Sequence, residues 1–148
     1  MNRIERWSVV KQRDPFCAAE QRPTAIGGVM GARRLGAVMA VVSAVVHLYL
    51  WFDGVKDQGT VGALFVVNVV AGLVIAVLLL RWQHWVPLLL LAGFGASTLG
   101  AFLISVSVGL FGIQTGWSWY AWLAAISEIA AVAVAAWAAR AEGWLGSR

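Results

Sequence analysis

Residues 117–139 read WSWYAWLAAISEIAAVAVAAWAA, opening on Trp117 and closing on Ala139. Apart from Ser118 and Ser127 the run is apolar, and its one charge is Glu128. Crossing a hydrocarbon core of about 30 Å takes roughly 20 helical residues, whereas a barrel strand needs only about 10. This run is too long for a strand and has no period-2 alternation, so it reads as a membrane-spanning helix. Three more runs of comparable length, 35–52, 61–80 and 86–113, contain no Asp, Glu, Lys or Arg. The expected fold is therefore an all-α integral membrane protein, a four-transmembrane-helix bundle.

Composition excludes the other classes. The chain is 61% hydrophobic and 12% charged, against about 25% charged in a typical soluble domain. Between Leu35 and Ala139 the charges are Asp53, Lys56, Asp57, Arg81 and Glu128. That is too few to cover the surface of a water-soluble fold, which rules out a soluble enzyme and a disordered chain. The net charge of +4 does not signal nucleic-acid binding, because the basic residues gather in the tail and not on one face of a folded domain. Cys17 is the only cysteine, so neither an intrachain disulfide nor a Cys-rich metal site is available.

Loop charges orient the bundle. With spans alternating in direction, the N-terminal tail, the turn around Arg81 and the C-terminal tail share one side. Every Lys and Arg except Lys56 falls there, and Lys56 is flanked by Asp53 and Asp57. The positive-inside rule then puts both termini in the cytoplasm, N-in and C-in, in a plasma or inner membrane. Trp51, Phe52, Trp117, Trp119, Tyr120 and Trp122 mark the outer boundary, and Trp82, Trp85, Trp137 and Trp144 the inner one, as aromatic belts do. The run 86–113 is longer than a straight span needs; either it tilts or its last turn, 109–113, lies at the outer surface.

Three segments are expected. Residues 1–34 form a basic cytoplasmic tail, disordered or lying on the inner leaflet; 35–139 form the transmembrane domain; 140–148 form a short cytoplasmic tail. Met30, ahead of Gly-Ala-Arg-Arg and an apolar run, is an alternative start. The first span reads as an uncleaved helix, since its apolar run exceeds the about 7–15 residues of a signal peptide.

Polar groups inside the spans are the functional candidates, because exposing an ionisable side chain to lipid costs roughly 2.5–3.5 kcal/mol. Glu128 lies roughly 16 Å below the outer boundary at about 1.5 Å per residue, and His47 roughly 8 Å below it. Asn68 and Ser105 fall between, at roughly 10 and 12 Å on the same count. Side chains lean toward their helix N-terminus, which brings Glu128 and His47 toward one another. Glu128, His47, Asn68 and Ser105 thus form a candidate intramembrane site for a proton or cation. The competing reading is packing, in which such groups hydrogen-bond between helices; it is favoured for Asn68 and Ser105, and function for Glu128. His84 sits in the cytoplasmic turn, away from His47, so the two cannot share a haem, and no cofactor or metal is expected.

Gly93, Ser97, Ala101, Ser105 and Gly109 recur every four residues on the third span. This is a small-xxx-small ladder that lets another backbone approach closely, and it is read as a helix-packing seam. Asn68, Gly72 and Ala76 make a shorter ladder, and Ala131, Ala135 and Ala139 another. No nucleotide-binding, metalloprotease or serine-hydrolase motif is present. In size and span number the chain resembles several groups of small four-helix membrane proteins, without a motif tying it to one. The leading expectation is a non-enzymatic accessory or scaffold subunit, homo-oligomeric or joined to another membrane protein. The alternative is a small proton- or ion-coupled transporter built on Glu128 and His47. The bilayer is a partner in both.

Overall fold

The computed structural model describes residues 22–112, 114 and 116–146, with side chains from Gly28 onward. The expectations for residues 1–21, Cys17 among them, lie outside the described residues. The elements are α1 (Arg22–Phe52), a 3-10 turn (Val55–Asp57), α2 (Thr60–Arg81), α3 (Trp85–Ser107) and α4 (Trp119–Ala141). All four long helices are long and apolar enough to cross a membrane.

Two boundaries differ from expectation. α1 begins by Arg22, so 22–34 is helix continuous with the first span and not an irregular tail. The segment has no proline after Pro23, and Arg33 within it is anchored to Glu142 and to the Trp82 and His84 carbonyls. α3 stops at Ser107 instead of running to 113. Its end is a left-handed termination: Gly109 has φ 84°, and its N–H donates to the Ile104 carbonyl at 3.1 Å. Phe111 and Gly112 also have positive φ, 51° and 80°. The helix therefore ends where the ladder reaches Gly109, which lies outside it.

The helices form a ring in which α1 packs on α2 and α4, and α4 packs on α3. α2 and α3, although joined by a short turn, touch far less. The tight pairs are built from small residues. A Cβ on Gly72 would stand 2.9 Å from the Ala40 carbonyl oxygen, and one on Gly95 would stand 2.8 Å from that of Glu128. Gly72 and Gly95 thus let α2 approach α1, and α3 approach α4, backbone to backbone. Ala37, Ala40, Ala131, Ala135 and Ala138 are buried in the same seams.

Within the chain, the ladder read as a packing seam is not where α3 meets α4. Gly93 and Ser97 are exposed, and a Cβ on Gly93 would meet nothing within 4 Å. Ser105 is buried. The helix face that packs, marked by Leu91, Phe94 and Gly95, is rotated away from this ladder.

The apolar core is not central. Ala32, Ala37, Ile75, Leu79, Leu88, Leu91, Phe94, Ala135 and Ala138 make one cluster, and all lie in the half of the bundle that holds the α2–α3 turn. In the other half α2 and α3 separate.

Candidate functional site

Two polar clusters occupy the two halves. The first centres on Arg33, which is 2% exposed. Its Nε donates to Glu142 Oε1 at 2.5 Å and its Nη2 to Glu142 Oε2 at 2.6 Å, a bidentate pair. Nη1 also donates to the Trp82 carbonyl at 2.9 Å, and Nη2 to that of His84 at 2.8 Å. One guanidinium therefore ties α1 to the α2–α3 turn and to the end of α4. Trp144 Nε1 adds a bond to Glu142 Oε2 at 2.9 Å. Burial pushes the Glu142 carboxyl up, but the bonds from Arg33 and Trp144 and the Arg33 charge outweigh it and hold it below the ordinary carboxylate range. His84 belongs to the same end. Its Nδ1 accepts the Val86 N–H and caps α3, while its ring stacks on Trp82 at 5.2 Å.

The second cluster centres on Glu128, also 2% exposed, nine residues into α4. Gly95 brings α3 against its backbone. Ser43 of α1 donates its hydroxyl to Glu128 Oε1 at 2.5 Å. The His47 Nδ1 lies 2.8 Å from the Ser43 carbonyl oxygen. A carbonyl only accepts, so the ring proton sits on Nδ1, and Nε2 of the neutral ring keeps its lone pair. Ser43 thereby links the carboxyl to the imidazole. Phe65 of α2 packs on the His47 ring with centroids 4.9 Å apart.

This second cluster is incomplete. Among the described residues, Glu128 Oε2 and Asn68 Nδ2, both buried, have no hydrogen-bond partner. Buried polar groups are nearly always satisfied, so each orphan calls for an explanation. Both residues line one cavity of about 750 Å³, the gap between α2 and α3 with α1 and α4 behind it. His47, Ser97, Ala101 and Ser105 line it too. Cavities of roughly 300–1,000 Å³ with apolar walls and a few polar groups are the usual form of small-molecule sites.

Glu128, His47, Asn68 and Ser105 therefore share one cleft, but at different levels. Ser105 is two residues from the end of α3, nearer the mouth than a helix running to 113 would put it. The hydroxyl of α3 that faces Glu128 is instead that of Thr98, which donates to the Phe94 carbonyl at 2.8 Å. Thr98 escaped sequence reasoning because it sits off the small-residue ladder. The Ser43 bond to Glu128 was missed too, although Ser43 one turn before His47 was the available signal. At the mouth, Tyr49 and Tyr120 meet hydroxyl to hydroxyl at 3.1 Å. Trp117, Trp119 and Trp122 stand more than half exposed, and Trp117 packs on Trp122 with ring centroids 4.6 Å apart.

Among the described residues no group of His, Cys, Asp and Glu is arranged to hold a metal ion. Chemically, the cluster offers a carboxylate oxygen, an imidazole nitrogen and an amide N–H to a ligand entering between α2 and α3. No family model, no curated protein and no solved structure matches this chain.

Proposed function

We propose that the chain crosses a plasma or inner membrane four times with both termini cytoplasmic, and that it binds a small ligand in the α2–α3 cleft as a non-enzymatic, proton- or ion-coupled carrier. The observation that carries this reading is Glu128: buried, with Oε2 unpartnered, in the wall of a 750 Å³ cleft. A carboxylate serving only to hold helices together would have both oxygens bonded, as Glu142 does. Ser43 stands between two titratable groups, its hydroxyl bonded to Glu128 and its carbonyl to the His47 ring. The test is proton uptake into liposomes holding the purified protein, reported by entrapped pyranine after a pH jump. Uptake above protein-free liposomes, lost in Glu128→Gln with the fold intact, supports the proposal. No uptake at any pH, together with reduced thermal stability of Glu128→Gln, would make the residue structural.

A second reading is an accessory or scaffold subunit that assembles through α3. It is favoured by the exposure of Gly93 and Ser97, a ladder of small residues that α2 leaves uncovered. Native mass spectrometry in mild detergent tests it: a multimer that Gly93→Leu splits supports it, and a monomer indifferent to that change removes it.

A further inference from the structure

We infer that the ligand of the α2–α3 cleft is a lipophilic primary amine with an oxygen acceptor beside its nitrogen, such as an amino alcohol, held head-first against Glu128. This rests on the reading of the cleft as a ligand site and specifies its substrate class. The hydrogen-bonding groups left over in the cleft define the complement. Glu128 Oε2 is an unpartnered acceptor. His47 Nε2 is a second acceptor, because Nδ1 already donates to the Ser43 carbonyl. Asn68 Nδ2 is an unpartnered donor. Two acceptors and one donor match a head group with several N–H donors and one adjacent acceptor.

Charge points the same way. No lysine or arginine is among the described residues lining the cleft, which leaves the His47 imidazole as the one basic side chain there to offset an ionised Glu128. An uncompensated carboxylate in apolar surroundings is strongly unfavourable, and an ammonium group from a ligand supplies the missing charge and donors together. A carboxylate ligand would be repelled. An alcohol would leave the charge unmatched, and a quaternary ammonium has no N–H for Oε2 or Nε2. The remaining walls, with Phe65 and Ile75 from α2 and Gly93, Phe94 and Ala101 from α3, suit a hydrocarbon body.

The experiment is calorimetric titration of the full chain in lipid nanodiscs with four probes sharing one tail length: 1-amino-2-octanol, octylamine, octyltrimethylammonium and octanol. The amino alcohol should bind tightest and octylamine next. The quaternary amine and the alcohol should bind roughly ten-fold more weakly or worse, the size expected for lost charge-assisted hydrogen bonds. Glu128→Gln should bring octylamine down to the level of octanol, and Asn68→Leu should erase the advantage of the amino alcohol over octylamine. Should Glu128→Gln fail to fold, the probe series on the native protein and Asn68→Leu still decide. Octanol or the quaternary amine binding as well as octylamine overturns the inference, as does an amino-alcohol preference that survives Asn68→Leu. Four probes that bind alike and are all displaced by Ser97→Trp would remove the ligand class and leave the cleft as a site. No saturable binding of any probe would remove both.

Discussion

The two ends of this bundle bury a carboxyl group in opposite ways. Glu142 has both oxygens bonded to a guanidinium that also takes up the carbonyls of Trp82 and His84. Glu128 has one oxygen bonded to Ser43 and one bonded to nothing. The first sits beside the apolar core, where α1, α2, α3 and α4 converge; the second sits where α2 and α3 part. Completeness separates the roles. A satisfied charge in a packed region suits a structural role, and an unsatisfied one beside a cleft suits the ligand site proposed above.

The largest effect should come from breaking the satisfied end. Arg33→Ala leaves Glu142 and two carbonyls without their donor, and removing one partner of a buried pair typically costs about 3 kcal/mol or more. Unfolding in a mixed-detergent titration should show that loss. A cost below about 1 kcal/mol, the ordinary value of a surface pair, would erase the contrast between the ends. Next comes the seam beneath Glu128. Gly95→Leu forces a side chain against the Glu128 carbonyl and should cost about 1–3 kcal/mol. Gly93→Leu, two residues away, points into open space and should change stability by less than about 0.5 kcal/mol. Equal costs at Gly93 and Gly95 would mean that α3 packs through the ladder after all.

Acid sharpens the comparison with a smaller effect. The Glu142 carboxyl is held below its ordinary value, 4.5, so its contribution is present in full above that pH. It is lost as pH falls through the lower value held in the fold. Stability measured by thermal melts should therefore drop in strong acid, and this drop should be shallower in Arg33→Ala, where the pairing is already gone. Parallel pH curves for the two proteins would argue that Glu142 draws nothing from Arg33. Ser43→Ala removes a single hydrogen bond and should cost about 1 kcal/mol, more than Gly93→Leu but less than Arg33→Ala.

Much of this architecture could be read from the residues. Four apolar runs set apart by Asp53, Lys56 and Asp57, by Arg81, and by the polar stretch 114–116 place four long helices, and an ionisable residue in such a run singles out Glu128 and His47. What escaped reading depended on rotation and on helix ends. The ladder from Gly93 to Gly109 has the spacing of a packing seam, but spacing does not say which of two small-residue faces of α3 meets α4. Gly95, off that ladder, is the one that does. Gly109 counted as a rung although its left-handed conformation ends the helix. Arg33 was read for its charge alone, as a sign of sidedness. Its partner Glu142 lies 109 residues away, and no local pattern connects them.

The most direct test of the contrast is the thermal stability of Glu128→Gln measured beside its probe binding. Gln keeps an oxygen for the Ser43 hydroxyl and removes the carboxylate charge. We expect a melting temperature equal to that of the native protein or higher, with octylamine binding reduced roughly ten-fold or more. A clear fall in melting temperature with octylamine binding unchanged would make Glu128 a structural residue and contradict the account.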